Sequence, residues 1–198
     1  MAVRTGMGNL LLQLRGMCDV SATDYLVNGV QFWTDQQLQD ILDSYVTPLE
    51  QIDDSPFQLQ PIAEYAGGAT IFKDYPIGWG NLEEQISGSP YWVLVDSTGL
   101  EVSNTLYDAD YIIGNVRFKS NTNGAIYFLS HARSYAMERA AAEVWRQKMG
   151  HTARMVDFRS DGQSFTRSQW FANCKGMMDF YQRQGGVSTT RLTRSDLA

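Results

Sequence analysis

Paired carboxylates at Asp53-Asp54, Glu83-Glu84 and Asp108/Asp110 are the residues whose type and spacing come nearest to acid–base chemistry. Such chemistry needs two groups converging on one reacting centre. Neighbouring side chains on an extended chain point to opposite faces, so these pairs read as solvated loop carboxylates rather than as a dyad. His131 and His151 fall at the two ends of one predicted helix, about 30 Å apart at ~1.5 Å rise per residue, too far to share a metal. Cys18 and Cys174 belong to no CxxC pair, and Cys174 shares an apolar stripe with Trp170, Met177 and Met178, which marks it as a packing residue. The stretch Asp157 to Gly162 lacks the alternating oxygen ligands and closing glutamate of a calcium loop and reads as a turn before a capped helix. GxxxxGK[ST], GxGxxG, HExxH and GxSxG are all absent from the sequence. The expectation is a protein that is not an enzyme and that carries no cofactor and no metal.

The aromatic residues offer a different chemistry. Phe32, Trp33, Trp79, Tyr91 and Trp92 could build a flat platform for a sugar, although such residues more often anchor cores and interfaces. A carbohydrate- or receptor-binding module using Trp79, Tyr91 and Trp92 is the alternative function.

The elements that must position these groups follow from periodicity. Residues 9–18 form a short amphipathic helix. Thr34 and Gln37 then make a capping box, with Trp33 and Leu38 as its hydrophobic staple, so a helix starts at Asp35 and is stopped after Val46 by Pro48. From Ser55 to Leu129 the period is two. Tyr91–Val95 and Leu100–Ser103 flank a turn at Asp96–Gly99, and Asn115–Lys119 and Ala125–Leu129 read as a second hairpin. Weaker strands are expected around Phe57–Gln60 and Thr70–Phe72. Residues 131–149 return to helix, with Tyr135, Ala136, Ala140, Val144, Trp145 and Met149 on one face and Gly150 as the cap. Thr166 and Gln169 repeat the capping syntax, and a last helix from Arg167 to Gln184 buries Trp170, Phe171, Cys174, Met177, Met178 and Tyr181.

The predicted fold class is α+β: a small bundle of about four helices, an inserted antiparallel β-subdomain and an extended C-terminal arm. Residues 1–54 and 130–186 form the bundle, 55–129 the β-rich insertion and 187–198 the arm. The chain has 198 residues with 43% hydrophobic and 19% charged content, enough for a real core. No apolar run approaches the ~20 residues that span a bilayer. No basic region followed by a long apolar run opens the chain, so a signal peptide is not expected, and the cysteine usage fits a reducing, cytosolic setting. Charge is unevenly spread: residues 1–128 hold 5 Lys/Arg against 16 Asp/Glu, whereas residues 129–198 hold 11 against 6. Complementary segments suit stacking of copies, and the acidic total argues against sequence-specific DNA binding.

Two segments resemble a known family. Phe32-Trp33-Thr34-Asp35-Gln36-Gln37-Leu38-Gln39-Asp40-Ile41-Leu42-Asp43 resembles the WTDxxLQxxLD helix start of head-tail adaptor (head completion) proteins of long-tailed bacteriophages. Residues 156–169, VDFRSDGQSFTRSQ, are similar to the DFxxDGxSFxRSQ stretch before the last helix of the same proteins. Between them, Asp110-Tyr111, Gly114 to Phe118 and Gly124 to Tyr127 resemble an inserted hairpin, and Ala140 to Trp145 occupies the expected helix. The resemblance implies a non-enzymatic ring component, commonly of twelve copies around a channel through which DNA passes. It would bind the portal on one side and the stopper or tail completion protein on the other, at the neck of a virion assembled in the host cytoplasm. No membrane is involved. The arm, about 46 Å long if residues 185–198 are extended, would reach the portal or a neighbouring subunit through Arg191, Leu192, Arg194 and Leu197, with the arginines on carboxylates or on DNA phosphates.

Overall fold

The computed structural model describes residues 3–18, 26–27, 30–31, 33–49, 56–86, 91–152, 158–160, 163–165 and 167–186. The fold is α+β, with four α-helices and antiparallel sheets among the described residues. The chain divides into two compact units, Met1–Met137 and Glu138–Ala198.

In the first unit, a 3-10 turn at Thr5–Met7 leads into α1 (Gly8–Cys18), which buries Leu10, Leu11, Leu14 and Cys18. A short ribbon joins β1 (Leu26–Val27) to β2 (Val30–Gln31). Next come α2 (Asp35–Asp43) and β3 (Val46–Pro48). The helix expected to run through Val46 thus ends at Asp43, because Ser44 caps it and residues 46–48 pair with another strand instead. The remaining strands are β4 (Phe57–Leu59), β5 (Ile62–Ala66), β6 (Ala69–Pro76), β7 (Trp92–Asp96), β8 (Tyr107–Asp110), β9 (Asn115–Phe118) and β10 (Tyr127–Tyr135).

Two sheets result. One is centred on β10, which has β7 along one side and β4 followed by β3 along the other; the second runs in the order β5-β6-β9-β8. Leu59, Trp92, Leu94 and Leu129 of the first sheet share one buried cluster with Tyr75, Tyr107, Val116 and Phe118 of the second. Phe118 stacks on Tyr127 with 4.4 Å between centroids, and Tyr75 meets both rings edge-on. Edge-on and offset contacts of this kind place the positive rim of one ring on the negative face of another.

This arrangement corrects two expectations. The strands at 115–118 and 127–135 do not form a hairpin: β9 pairs with β6 and β8, while β10 belongs to the other sheet. The turn formers at 120–124 carry the chain from one sheet to the other, and local turn composition cannot distinguish the two outcomes. Residues 131–135 are strand, not helix. Leu129 and Ala132 are buried, His131 is exposed between them, and the register shifts there, so a bulge masks the period of two. The return strand at 100–103 is reduced to a bridge between Val95 and Glu101, while the turn before it forms as expected. Asp96 Oδ1 accepts from Thr98 N–H (2.8 Å), Thr98 Oγ1 (2.6 Å) and Leu100 N–H (3.1 Å), and these bonds hold its carboxyl below the ordinary range.

In the second unit, α3 (Met137–Thr152) buries Ala140, Ala141, Val144 and Trp145. It runs past Gly150, which lies inside the helix rather than capping it. β11 (Phe158–Ser160) and β12 (Gln163–Phe165) form a small ribbon before α4 (Arg167–Gly185). Of the six residues expected to be buried by α4, Cys174 alone is; Trp170, Met177, Met178 and Tyr181 are half-buried and Phe171 is exposed. Among the described residues no helix is long and apolar enough to cross a membrane.

Burial raises the phenols of Tyr75, Tyr107, Tyr111, Tyr127 and Tyr135 above their ordinary value near 10, that of Tyr111 to about 12. The folded state therefore holds these protons more tightly than the unfolded chain, so their stabilisation is complete below pH 10 and is lost as pH climbs toward 12. Denaturant midpoints measured from pH 9 to 12 should fall in that window, and Tyr111→Phe should make the fall shallower. A flat profile would contradict the buried placement of these rings.

Candidate functional site

The most heavily bonded polar cluster lies in the first unit and was not anticipated from sequence. Its centre is Arg4, placed just before the 3-10 turn. The Arg4 guanidinium donates to both oxygens of Asp43 at the end of α2 (2.7 and 2.5 Å). It also donates to Glu83 Oε1 (3.0 Å) and to the Tyr135 hydroxyl (3.0 Å) at the end of β10. Tyr135 in turn donates to Glu83 Oε2 (2.6 Å), and Arg4 N–H donates to Gln39 Oε1 (2.7 Å).

Backbone pairing sets this geometry. Residues 80–83 run beside the end of β10: Ser134 Oγ donates to the Gly80 carbonyl, Tyr135 N–H to that of Asn81 and Glu83 N–H to that of Arg133. Glu84 N–H donates to the Gly6 carbonyl, which draws the N-terminal turn over Glu83. The approach is so close that a Cβ on Gly6 would sit 2.6 Å from the Glu84 carbonyl oxygen, so only glycine fits. Glu83 is 1% exposed, and a carboxylate that deep is tolerated only with its charge compensated and its lone pairs bonded. Asp43 above all, opposed by burial and assisted by Glu83, keeps the Arg4 guanidinium charged far beyond the usual range; burial first, then Glu83, pushes the Tyr135 phenol well up. Every member has a partner within the cluster, which makes it a structural tie.

The expected capping box is present. Gln37 N–H donates to Thr34 Oγ1 (3.3 Å) and Thr34 N–H to Gln37 Oε1 (2.8 Å), with Trp33 and Leu38 both buried beside it. Trp33 has a φ of +58°, a strained value for a bulky residue, and Arg15 holds it there by donating to the Trp33 carbonyl (3.1 Å) and pairing with Asp35 (2.6 Å). An open cleft of about 400 Å³ lies against α1, lined by Gly8, Leu11, Leu12, Arg4, Arg15 and Asp35 among others; its two arginines are already paired.

The other sequence candidates are dispersed. Glu83 turns inward while Glu84 accepts from the Asn9 side chain, so this pair diverges as expected. Asp108 faces Lys119, and Asp110 accepts from the Ile112 and Ile113 amides across a turn. His131 lies on β10 and His151 in the last turn of α3, so the two do not share a helix. Burial raises the Cys174 thiol, consistent with a packing role. Trp92 is 1% exposed, with its ring edge-on to Tyr111, and the Tyr91 ring is covered by the Arg133 guanidinium at 3.6 Å. The sugar platform of Trp79, Tyr91 and Trp92 is therefore not assembled. Gln169 is exposed in the first turn of α4. Thr166, Asp53, Asp54, Arg191, Leu192, Arg194 and Leu197 lie outside the described residues, as do Asp157, Asp161 and Gly162 of the 157–162 stretch. Among the described residues no group of three His, Cys, Asp or Glu is placed to hold a metal.

What the surface does offer is exposed apolar side chains. Leu12 stands out on α1, Ile62 and Tyr65 on β5, and Phe171 and Phe180 on α4. Ile112 and Ile113, at the turn between β8 and β9, join Trp79: the Asn81 amide donates to the Ile112 carbonyl, and Gly114, with φ +79°, passes so near the Trp79 carbonyl that a side chain there would overlap it. Comparison with family models, with curated proteins and with solved structures finds no match to this chain.

Two variants test these assignments. Thr34→Ala should lower stability by ~1 kcal/mol through loss of the cap acceptor. Arg4→Met should cost about 3 kcal/mol, because it leaves Glu83 buried beside Asp43 without a cation. Both are read from denaturant unfolding, and equal, near-zero effects would contradict the described contacts.

Proposed function

We propose that this chain is a structural, non-enzymatic adaptor subunit at the neck of a tailed bacteriophage. It joins the portal to the stopper or tail completion protein, in a ring of about twelve copies that continues the DNA channel without reading DNA sequence. The subunit assembles in the host cytoplasm and resides in the virion, with no membrane partner. The observation that carries this reading is the exposed apolar cluster of Trp79, Ile112 and Ile113 beside the β8–β9 turn, with Leu12 on α1 and Tyr65 on β5 also exposed. Exposed apolar clusters mark interaction surfaces, and a ring subunit covers them with neighbours on both sides and with partners above and below. The Thr34–Gln37 box, which opens the family-like segment, supports the same reading. Arg191, Leu192, Arg194 and Leu197 then supply partner contacts beyond the subunit body.

Mixing the purified protein with its portal and imaging the product by electron microscopy tests the proposal. A ring of added density on one portal face is the expected result, and it should be lost on deleting residues 187–198. A strict monomer by light scattering that also leaves the portal bare would overturn it.

A further inference from the structure

We infer that the free edge of β5 accepts residues 189–193 of another copy of this chain as an added antiparallel strand, with Arg191 opposite Glu64; this rests on the ring-subunit reading above. β5 lies at one end of the β5-β6-β9-β8 sheet, and all five of its residues are exposed. The hairpin turns through Gly67 and Gly68, both at positive φ (61° and 82°), in the two-residue geometry that makes the flanking Ala66 and Ala69 a hydrogen-bonded pair. Alternation from that pair directs the N–H and C=O of Glu64 toward β6 and those of Ala63 and Tyr65 outward. The partner of Ala63 agrees with this phase: Phe72 N–H donates to Asn121 Oδ1 (2.9 Å) and its carbonyl accepts from Thr122 N–H (3.0 Å), both away from β5.

Beyond the register shift at Ile62/Ala63, the edge lacks the usual protection. Ile62–Ala66 contains no lysine and no proline, and its single charge, Glu64, has no ion pair among the described residues. An added strand must offer a cation opposite Glu64, backbone donors opposite Ala63 and Tyr65, and no proline. Residues 187–194, VSTTRLTR, meet all three requirements, and Val187, Thr189, Thr190 and Thr193 favour extended backbone. With Arg191 opposite Glu64, Leu192 and Thr190 fall at the hydrogen-bonding positions facing Ala63 and Tyr65. The ion pair then occupies the non-hydrogen-bonded position, where side chains approach most closely. Placing Arg194 there instead would bring Ser195 and Asp196 opposite Ala63 and Ile62 and leave Thr193 as the one β-branched residue of the added strand. An edge on the acidic part of one copy and a strand from the basic part of the next form a head-to-tail contact, the kind that closes rings.

Cysteine trapping in the full-length chain tests the register, since Cys18 and Cys174 are both buried. Oxidised Glu64→Cys/Arg191→Cys protein should give a reducible ladder of multimers on a non-reducing gel. Glu64→Cys/Thr190→Cys, one residue out of register and facing the other side, should give under a tenth as much. Glu64→Arg should weaken self-assembly about tenfold by light scattering, and adding Arg191→Glu should restore it. Cross-linked monomers, equal ladders in both registers, no ladder, or no restoration would each overturn the inference. Portal binding is scored separately: ladders without portal attachment would remove the neck reading and keep this contact, and portal attachment without ladders would do the reverse.

Discussion

The first unit depends on a carboxylate that has no route to water. Glu83 is held at the core boundary by the pairing of residues 80–83 with β10, and its charge must be balanced where it lies. Arg4 does this, and in doing so it fixes where the N-terminal turn crosses the end of β10 and where α2 must finish. One guanidinium thus connects three parts of the chain separated by 39 and 79 residues, through Asp43 and Glu83 respectively. Tyr135, donating to Glu83 and accepting from Arg4, closes the network so that no lone pair facing the core is left bare.

β10 is the second constraint. It is long enough to pair with β7 along one side and with both β4 and β3 along the other, so its middle is central to the sheet while its end delivers Tyr135 to the ion network. The bulge near Ser130 permits this change of partners, because an unpaired residue bends the strand. Facing it, the second sheet packs Tyr75, Tyr107, Val116 and Phe118 inward and leaves its hairpin turns outside the core.

Those turns carry the apolar surface from which the functional reading is drawn. A sheet packed on one face still has edges and loops, and in this chain they are not covered by charge: Tyr65 is 77% exposed and Ile113 73%. Their positions at opposite ends of the sheet order, on β5 and beside β8, give a subunit two separate regions to offer to neighbours. The neck-adaptor proposal and the strand-addition inference both rest on that distribution, and neither requires a catalytic group.

Local signals were legible where neighbours in sequence supply all the atoms. The Thr34–Gln37 box, the start of α2 at Asp35, the turn at Asp96 and the α+β class itself follow from residues within four positions of one another, and each forms as the sequence implies. The second box at Thr166 and the arm residues lie outside the described part of the chain. Pairing across long separations was not legible. Ser120 to Gly124 has the composition of a hairpin turn whether the strands after it pair locally or cross to another sheet, and His131 to Tyr135 fits a helical period only if the bulge is ignored. Arg4, Asp43, Glu83 and Tyr135 carry no mutual spacing that a reader could detect. Sequence by itself determined the caps, the turns and the class of elements, because those energies are local. Tertiary structure alone decided which strands pair and which carboxylate is buried, because the desolvation of a charge and the completion of a sheet depend on groups that meet only once the chain has folded.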